Sequence, residues 1–195
     1  MIRLFDILFS FIGLVILLPF FILISICIKL TSRGPVFFIQ KRVGKDNVDF
    51  RLMKFRTMKV DADKMGLLTV GGRDPRITSV GYFLRKFKLD ELPQLINVHF
   101  GDMSLVGPRP EVRKYVDLYT EEQKKVLSVL PGITDNASLE YFNENELLAK
   151  SSDPEQTYIK EIMPAKLALN MKFINQPGLG SYFRIIFKTI AKVFS

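Results

Sequence analysis

Cysteine and histidine each occur once in the 195-residue chain, and tryptophan does not occur at all. With Cys27 as the one thiol, no disulfide can close within the chain, and its place inside an apolar run makes it a small hydrophobe. A zinc site of Cys and His ligands has too few candidates. A Ser-His or Cys-His nucleophile pair could draw only on His99, whose segment has plain structural uses. Repeats and low-complexity tracts are also missing. Catalysis, if this chain performs any, falls to carboxylates, lysines, arginines and a hard metal held by oxygen.

Charged residues are missing from Ile7 to Ile28, ILFSFIGLVILLPFFILISICI. About 22 residues at ~1.5 Å per residue give a helix of roughly 33 Å, the thickness of a bilayer core. The run is too long for a cleaved signal peptide, and no small-residue cleavage site follows it. Pro19 removes one hydrogen bond and bends the helix. Hydropathy favours a spanning helix over one that turns back there. Nine basic residues against two acidic ones lie between Lys29 and Lys59, so the flank after the run stays cytoplasmic.

What is present is grease together with positive charge. The chain is 48% hydrophobic and carries a net charge of +8. Nucleic acid, anionic lipid and phosphorylated substrates suit that balance. The length allows one domain with a sizeable core.

TSRGPVFFIQKRVG reads as a Gly-Pro turn, a short apolar run and a basic turn closed by Gly44. VDFRLMKFRTM reads as a strand or extended segment with Arg51, Lys54 and Arg56 on one side. MKVDADKMGLLTVGGRDPRIT reads as a helix start followed by a polar loop. From Ser79 the apolar spacing of Val80, Phe83, Leu84 and Phe87 predicts a helix, with Arg85, Lys86 and Lys88 on its other stripe. In DELPQLINVHF, Pro93 suits the first turn of a new helix and puts Asp90 near its N-cap, where phosphate can approach. GDMSLVGPRPEV is a stiff loop that fixes Arg109 between two prolines. A helix is expected from Tyr115 to Leu130, and then a loop-rich stretch with helical pieces starting near Asn143 and Asp153. EIMPAKLALNMKFI is a further helix. SYFRIIFKTIAKVFS spaces Arg184, Lys188 and Lys192 four apart against Phe183, Ile186, Phe187, Ile190 and Phe194, an amphipathic helix for a lipid surface or for the domain's own core.

The stretch KLDELPQL places Asp90 beside Glu91. Two carboxylates on a helix surface are usually a solvated patch. Here basic residues surround them, and attack on phosphorus needs a nucleophile and neutralised phosphate oxygens. Aspartate is ionised near neutral pH and attacks without a base. A neighbouring Glu suits magnesium, and Lys54, Arg56, Arg85 and Arg109 are available cationic clamps.

The ordered set GPVFFIQKRVG, KFRTM, RDPRITSVGYFLRKFKLDELPQLINV and GDMSLVGPRPE, behind an amino-terminal hydrophobic segment, resembles the monotopic phosphoglycosyl transferases, the bacterial sugar transferase family. The resemblance covers roughly residues 1–135. It implies an α+β, mainly helical protein: a membrane-embedded, Pro-broken re-entrant helix over 1–30, and a small membrane-associated catalytic domain over 31–195 with amphipathic interfacial helices, at the cytoplasmic face of the bacterial inner membrane. It implies transfer of a phosphosugar from a UDP-sugar to a polyprenyl phosphate such as undecaprenyl phosphate. In that reaction Asp90 is the nucleophile, UMP leaves, and an aspartyl-phosphosugar forms. Glu91 matches the magnesium-associated Glu, Arg85 and Arg109 match active-site basic residues, and Lys54 and Arg56 match the basic pair of the Lys-Phe-Arg/Lys-Thr-Met motif. The implied partners are UDP-sugar, polyprenyl phosphate and membrane lipid, with no nucleic acid; a homodimer is left open. The chain departs from the family at Leu18-Pro19, where the family has Ser-Pro, and after Gly132-Ile133-Thr134, where many relatives carry a Trp-containing segment and this chain has DNASLEYFNENELL. The competing reading is a non-catalytic, membrane-tethered module whose basic surface binds anionic lipid or nucleic acid.

Overall fold

The computed structural model describes residues 1–62, 66, 68–71, 74–175 and 178–193. Phe194 and much of the expected helix start and Gly-containing loop before Asp74 lie outside the described residues. Mixed α and β structure is present and helix predominates, as expected.

Helix α1 (Ile2–Thr31) is helical throughout, with Pro19 inside it. It is the one described helix long and apolar enough to cross a membrane. It does not stand away from the rest of the chain. At its start Arg3 Nη1 donates to the Val98 carbonyl (2.6 Å) and Nη2 to that of His99 (2.9 Å). One turn on, Asp6, 1% exposed, accepts from Ser104 Oγ, the Leu105 amide and the Tyr182 hydroxyl. At its far end the carbonyls of Ser32, Arg33 and Pro35 are gathered by the Arg56 guanidinium at 2.6–3.0 Å. These carbonyls belong to the segment just past the last helical turn, outside the helix's own hydrogen-bond ladder, and a guanidinium with five donors satisfies several of them together. Both ends of α1 are therefore bonded to the same folded body.

Strands β1 (Phe37–Val43) and β2 (Asp49–Phe55) form an antiparallel hairpin that pairs Phe38 with Lys54. The chain turns between them with Asp46 and Asn47 at positive φ. Because a strand alternates faces, Arg51 points the opposite way from Lys54, so the expected single basic side does not form. Leu52 goes with Val98 and Met103 on one face, and Phe55 meets Phe21 of α1 edge-on at 5.3 Å on the other.

Helix α2 (Ser79–Lys86) starts where Thr78 Oγ1 accepts from the Gly81 amide (3.0 Å), and α3 (Gln94–Phe100) follows Pro93 as the sequence predicts. α3 runs antiparallel to α1: Ser10 Oγ is 3.5 Å from His99 Nδ1, while Leu95 faces Gly13 further along. Asn97 of α3 takes the place of a strand neighbour to β2. Its Oδ1 accepts from the Met53 amide and its Nδ2 donates to the Arg51 carbonyl.

Strands β3 (Ser104–Val106) and β4 (Gly132–Thr134) pair in parallel. Each has three residues and their pairing is remote in sequence, so no local pattern announces them. Between them lie α4 (Arg113–Val116) and a 3-10 turn (Gln123–Ser128), shorter pieces than the single helix expected over 115–130. The remaining helices are α5 (Asn136–Glu140), α6 (Glu144–Ala149), α7 (Pro154–Thr157), α8 (Met163–Asn175) and α9 (Leu179–Val193). Asp153 caps α7 through the Gln156 amide, and a π turn (Tyr158–Ile162) leads into α8. The largest core joins Tyr115, Tyr158 and Leu167 beneath β1.

Gly132 sits so close to Gly107 that a Cβ there would overlap the Gly107 backbone. The approach lets the Gly132 amide donate to the Pro108 carbonyl at 2.9 Å, seating the loop that holds Arg109. Gly132→Ala is therefore expected to destabilise the protein by more than about 3 kcal/mol, read as a lower midpoint of denaturant unfolding in detergent.

Candidate functional site

Lys88 adopts a left-handed conformation (φ 55°) after α2 and turns the chain into a 3-10 turn, Leu89–Glu91, that presents Asp90 and Glu91. Asp90 therefore stands three residues ahead of the α3 N-cap position, Pro93, rather than at it. The two carboxylates receive opposite treatment.

Glu91 is claimed on both oxygens. Lys54 Nζ donates to Oε1 at 2.9 Å, Arg109 Nη2 donates to the same oxygen, and Arg109 Nη1 donates to Oε2 at 3.0 Å. Burial works against its charge, but Arg109 and Lys54 outweigh burial and hold its pKa well below the usual carboxylate range. Arg109 is pushed upward in turn by Glu91. Burial pushes the Lys54 ammonium down, offset in part by Glu91.

Asp90 is 8% exposed, and its carboxylate accepts no hydrogen bond from the described residues. Burial, then the neighbouring Glu91 charge, raises its pKa above the ordinary aspartate value, against the pull of Lys54, Arg85 and Lys88. A buried, unpaired carboxylate is costly to a fold.

The supports are specific. β2 delivers Lys54, and Asn97 fixes β2 against α3. The loop after β3 delivers Arg109, whose amide donates to Asp135 Oδ2 (3.1 Å) while Asp135 Oδ1 caps α5 at the Ser138 amide. Arg42 Nη1 holds the same loop through the Pro110 carbonyl (3.1 Å). Arg85 donates to Thr69 Oγ1 at 2.8 Å and its charge reaches Asp90.

Of the candidate residues, Lys54, Arg85, Arg109, Asp90 and Glu91 thus come together. Arg56 lines one cavity with Lys54, Arg85, Asp90 and Arg109, but it is 5% exposed and its three guanidinium nitrogens donate to carbonyls just past the end of α1. Lys88 joins the five. It acts on both carboxylates, with Nζ 4.9 Å from the Phe142 ring centroid. The residue is exposed, as its place on the basic stripe of α2 predicts, and its signal was its position two residues before Asp90. His99 lies against Ser10 and Phe11, away from the pair.

Two cavities meet at Asp90. One, of about 340 Å³, is the more polar of the two, with polar and apolar lining in near-equal share, and its walls include Lys54, Arg85, Arg109, Tyr119, Tyr158 and Asn170. The other, of about 590 Å³, is mainly apolar and runs from Asp90 past Leu17 of α1, Leu92, Leu139, Phe142 and Ile190 of α9. The pair can therefore meet a polar ligand from one side and an apolar one from the other.

Hard carboxylate oxygens suit magnesium, which typically takes one or two protein carboxylates and fills its shell with phosphate and water. The described residues contain no cluster of three or more His, Cys, Asp or Glu side chains. The Asp90–Glu91 pair fits the ion in this sparse mode, with Glu91 shared between it and the cations already bound.

At Asp90 and Glu91 the fold keeps the cost of one buried charge while cancelling the other. Asp90→Asn is expected to raise the unfolding temperature by roughly 3–8 °C near neutral pH. The sign follows from the raised pKa: the folded state binds the proton more tightly, so stability falls as pH climbs from the ordinary aspartate value to the raised one. Glu91→Gln is expected to do the reverse, losing about 3–5 kcal/mol by stranding Lys54 and Arg109. Thermal unfolding of both variants in detergent checks the opposite signs.

The bacterial sugar transferase family profile matches residues 1–195. A putative undecaprenyl-phosphate N-acetylgalactosaminyl 1-phosphate transferase of Bacillus subtilis (strain 168) is 45% identical over 132 residues, 68% of this chain and 70% of that one. The UDP-N-acetylgalactosamine-undecaprenyl-phosphate N-acetylgalactosaminephosphotransferase of Aeromonas hydrophila is 37% identical over 193 residues, 97% of this chain and 43% of its own length. The UDP-glucose:undecaprenyl-phosphate glucose-1-phosphate transferase of Escherichia coli (strain K12) is 34% identical over 193 residues, 97% of this chain and 39% of its own. The chain thus spans less than half the length of the latter two relatives. With the whole of its length matched and the similarity running through the Asp90–Glu91 segment and the Arg109 loop, the chain belongs to the bacterial sugar transferase family.

Proposed function

We propose that the chain is a phosphoglycosyl transferase that moves a sugar 1-phosphate from a UDP-sugar to undecaprenyl phosphate. The reading is supported by the names of its relatives. The observation that carries it is Asp90, a buried carboxylate without a partner at the meeting point of a polar and an apolar cavity.

In the first half-reaction an Asp90 oxygen attacks the β-phosphorus of the UDP-sugar. The bond from that phosphorus to the bridging oxygen breaks, and UMP leaves with the oxygen. In the second, an oxygen of undecaprenyl phosphate attacks the same phosphorus and expels the Asp90 carboxylate, giving an undecaprenyl diphosphate sugar. Because Glu91 occupies Lys54 and Arg109, the nucleophile is not quenched by a salt bridge, yet these cations stand close enough to neutralise phosphate oxygens. Arg85 and Lys88 bear on Asp90 from the α2 side. Magnesium, with Glu91 as its protein ligand, would screen the charge between carboxylate and pyrophosphate. Arg56 serves indirectly, by fixing the end of α1 to the domain.

The polar cavity suits the nucleotide sugar and the apolar one the prenyl chain, whose phosphate then reaches Asp90 from the side of α1. The exposed face of α1 carries Phe11, Ile16, Phe20 and Leu23, and the outer face of α9 carries Phe187 and Ile190, so both suit lipid. Anchoring of both α1 ends on one body supports entry and exit of that helix on a single membrane face. The basic flank after α1 supports the cytoplasmic face of the inner membrane.

With undecaprenyl phosphate and magnesium supplied, a screen of UDP-sugars is expected to give UMP with at least one donor and none with Asp90→Asn; UMP release by that variant at the wild-type rate contradicts the assignment. The acid limb of the wild-type pH profile should lie above about pH 4, since Asp90 must be ionised and its pKa is raised. A limb at or below the ordinary aspartate value would contradict the burial of a free nucleophile.

A further inference from the structure

Glu144 and Lys166 form a mostly buried ion pair that the transfer chemistry does not use. Lys166 Nζ lies 2.5 Å from Glu144 Oε2, with the side chains 14% and 23% exposed for Lys166 and Glu144 respectively. The pair ties the first turn of α6 to α8, and this alone would explain it as a structural clasp. Its position argues for more. Both residues, with Asn145, line the polar cavity and the apolar cavity alike, a property shared with Lys54, Arg85, Asp90 and Arg109.

The two half-reactions bring different molecules to those cavities. The nucleotide occupies one and departs, and the prenyl phosphate occupies the other. What stays at the junction throughout is the phosphosugar. A side chain that borders both cavities near Asp90 therefore borders the sugar ring. Four such residues carry or neutralise the reacting phosphate. Glu144, Lys166 and Asn145 are the remainder.

The chemistry of the pair suits a sugar hydroxyl, which donates one hydrogen bond and accepts others. Glu144 Oε1 accepts nothing from the described residues, so it is available to a hydroxyl proton. Lys166 has three donors and gives one to Glu144, with its ammonium 5.6 Å from the Tyr158 ring centroid. Beside these charged groups Asn145 adds an amide. An epimeric hydroxyl pointing to the other face of the ring would leave Glu144 Oε1 and the two remaining Lys166 donors unmatched, while the ion pair itself persists. A site built to bond a hydroxyl discriminates strongly against ligands that cannot supply it, because its own buried polar groups are left unpaired.

We infer that Glu144 and Lys166, with Asn145 beside them, recognise the ring hydroxyls of the phosphosugar and so select among UDP-sugars. The inference rests on the phosphoglycosyl transferase reading. It also places sugar selection in the chain segments α6 and α8, beyond the motifs of the phosphate site.

The test uses the full chain in detergent with undecaprenyl phosphate and magnesium. kcat/KM for UMP release is measured with UDP-glucose, UDP-galactose and their two N-acetylhexosamine counterparts, for wild type, Glu144→Gln and Lys166→Met. Binding of UMP, which has no sugar, is measured in parallel. The ratio between the best and worst donors is expected to shrink by about tenfold or more in both variants, with the UMP dissociation constant changed less than about twofold. If all four donors fall by one common factor and the ratio is kept, the pair is only a clasp and the inference is overturned. Should Glu144→Gln fail to fold, Glu144→Asp, which keeps the ion pair but withdraws it by one methylene, decides by the same ratio. A wild-type chain that releases UMP from no UDP-sugar overturns the transferase reading itself, a result distinguishable from unchanged selectivity in an active enzyme.

Discussion

Two neighbouring carboxylates compete for one set of cations, and the fold gives Lys54 and Arg109 to Glu91. That allocation is what the rest of the site depends on. It leaves Asp90 buried beside a neutralised neighbour and unbonded, within the field of Arg85 and Lys88. Much of the architecture serves to keep it so. Asn97 locks β2, and with it Lys54, against the helix that follows the pair. The close approach of Gly107 and Gly132, the Asp135 cap and Arg42 seat the Pro-Arg-Pro loop, and with it Arg109. An unpaired buried charge lowers stability, so it persists only where surrounding contacts over-determine the chain.

Helix α1 connects this site to the exposed apolar surface that the proposed function gives to lipid. Three of its polar groups, Arg3, Asp6 and Ser10, point into the domain near the start of the helix, and Arg56 gathers the carbonyls at its end. An apolar helix tied at both ends to one body has an inner face for packing and leaves an exposed apolar outer face. Leu17, close to Pro19, stands in the wall of the apolar cavity. The helix that would hold the protein in a membrane also forms part of the route by which a lipid substrate would reach Asp90.

Features set by neighbouring residues were legible in the sequence. The apolar run within α1, the start of α2 at Ser79, the new helix after Pro93 and the helix starts near Asn143 and Asp153 all follow from short-range pattern, and the structure agrees with them; α1 itself runs beyond the uncharged stretch at both ends, from Ile2 to Thr31. Features that depend on remote partners were not legible. β3 and β4 are three residues each and define one another across a gap that no local signal bridges. The stretch from Tyr115 has helical composition, yet packing under β1 breaks it into α4 and a 3-10 turn. At the site, residue types and order pointed to Asp90, Glu91, Lys54, Arg85 and Arg109, and these converge. Arg56 could not be separated from Lys54 by sequence, because both stand in one short motif and only the end of α1, folded back from residues 32 to 35, claims its donors. Lys88 was hidden because helical spacing marks it only as one of a basic stripe; it is exposed, as that stripe predicts, but the chain leaves the helix at that residue and brings its charge near the pair.

The central claim is that the Asp90 carboxylate becomes bonded to phosphorus during turnover. It is tested most directly by mixing the protein with a competent UDP-sugar in the absence of the lipid acceptor, quenching in acid and mapping the protein by mass spectrometry. The expected result is a phosphosugar adduct on the peptide that carries Asp90, lost when undecaprenyl phosphate is added before the quench. An adduct on a different side chain, or steady turnover by a protein that never carries one, would contradict it.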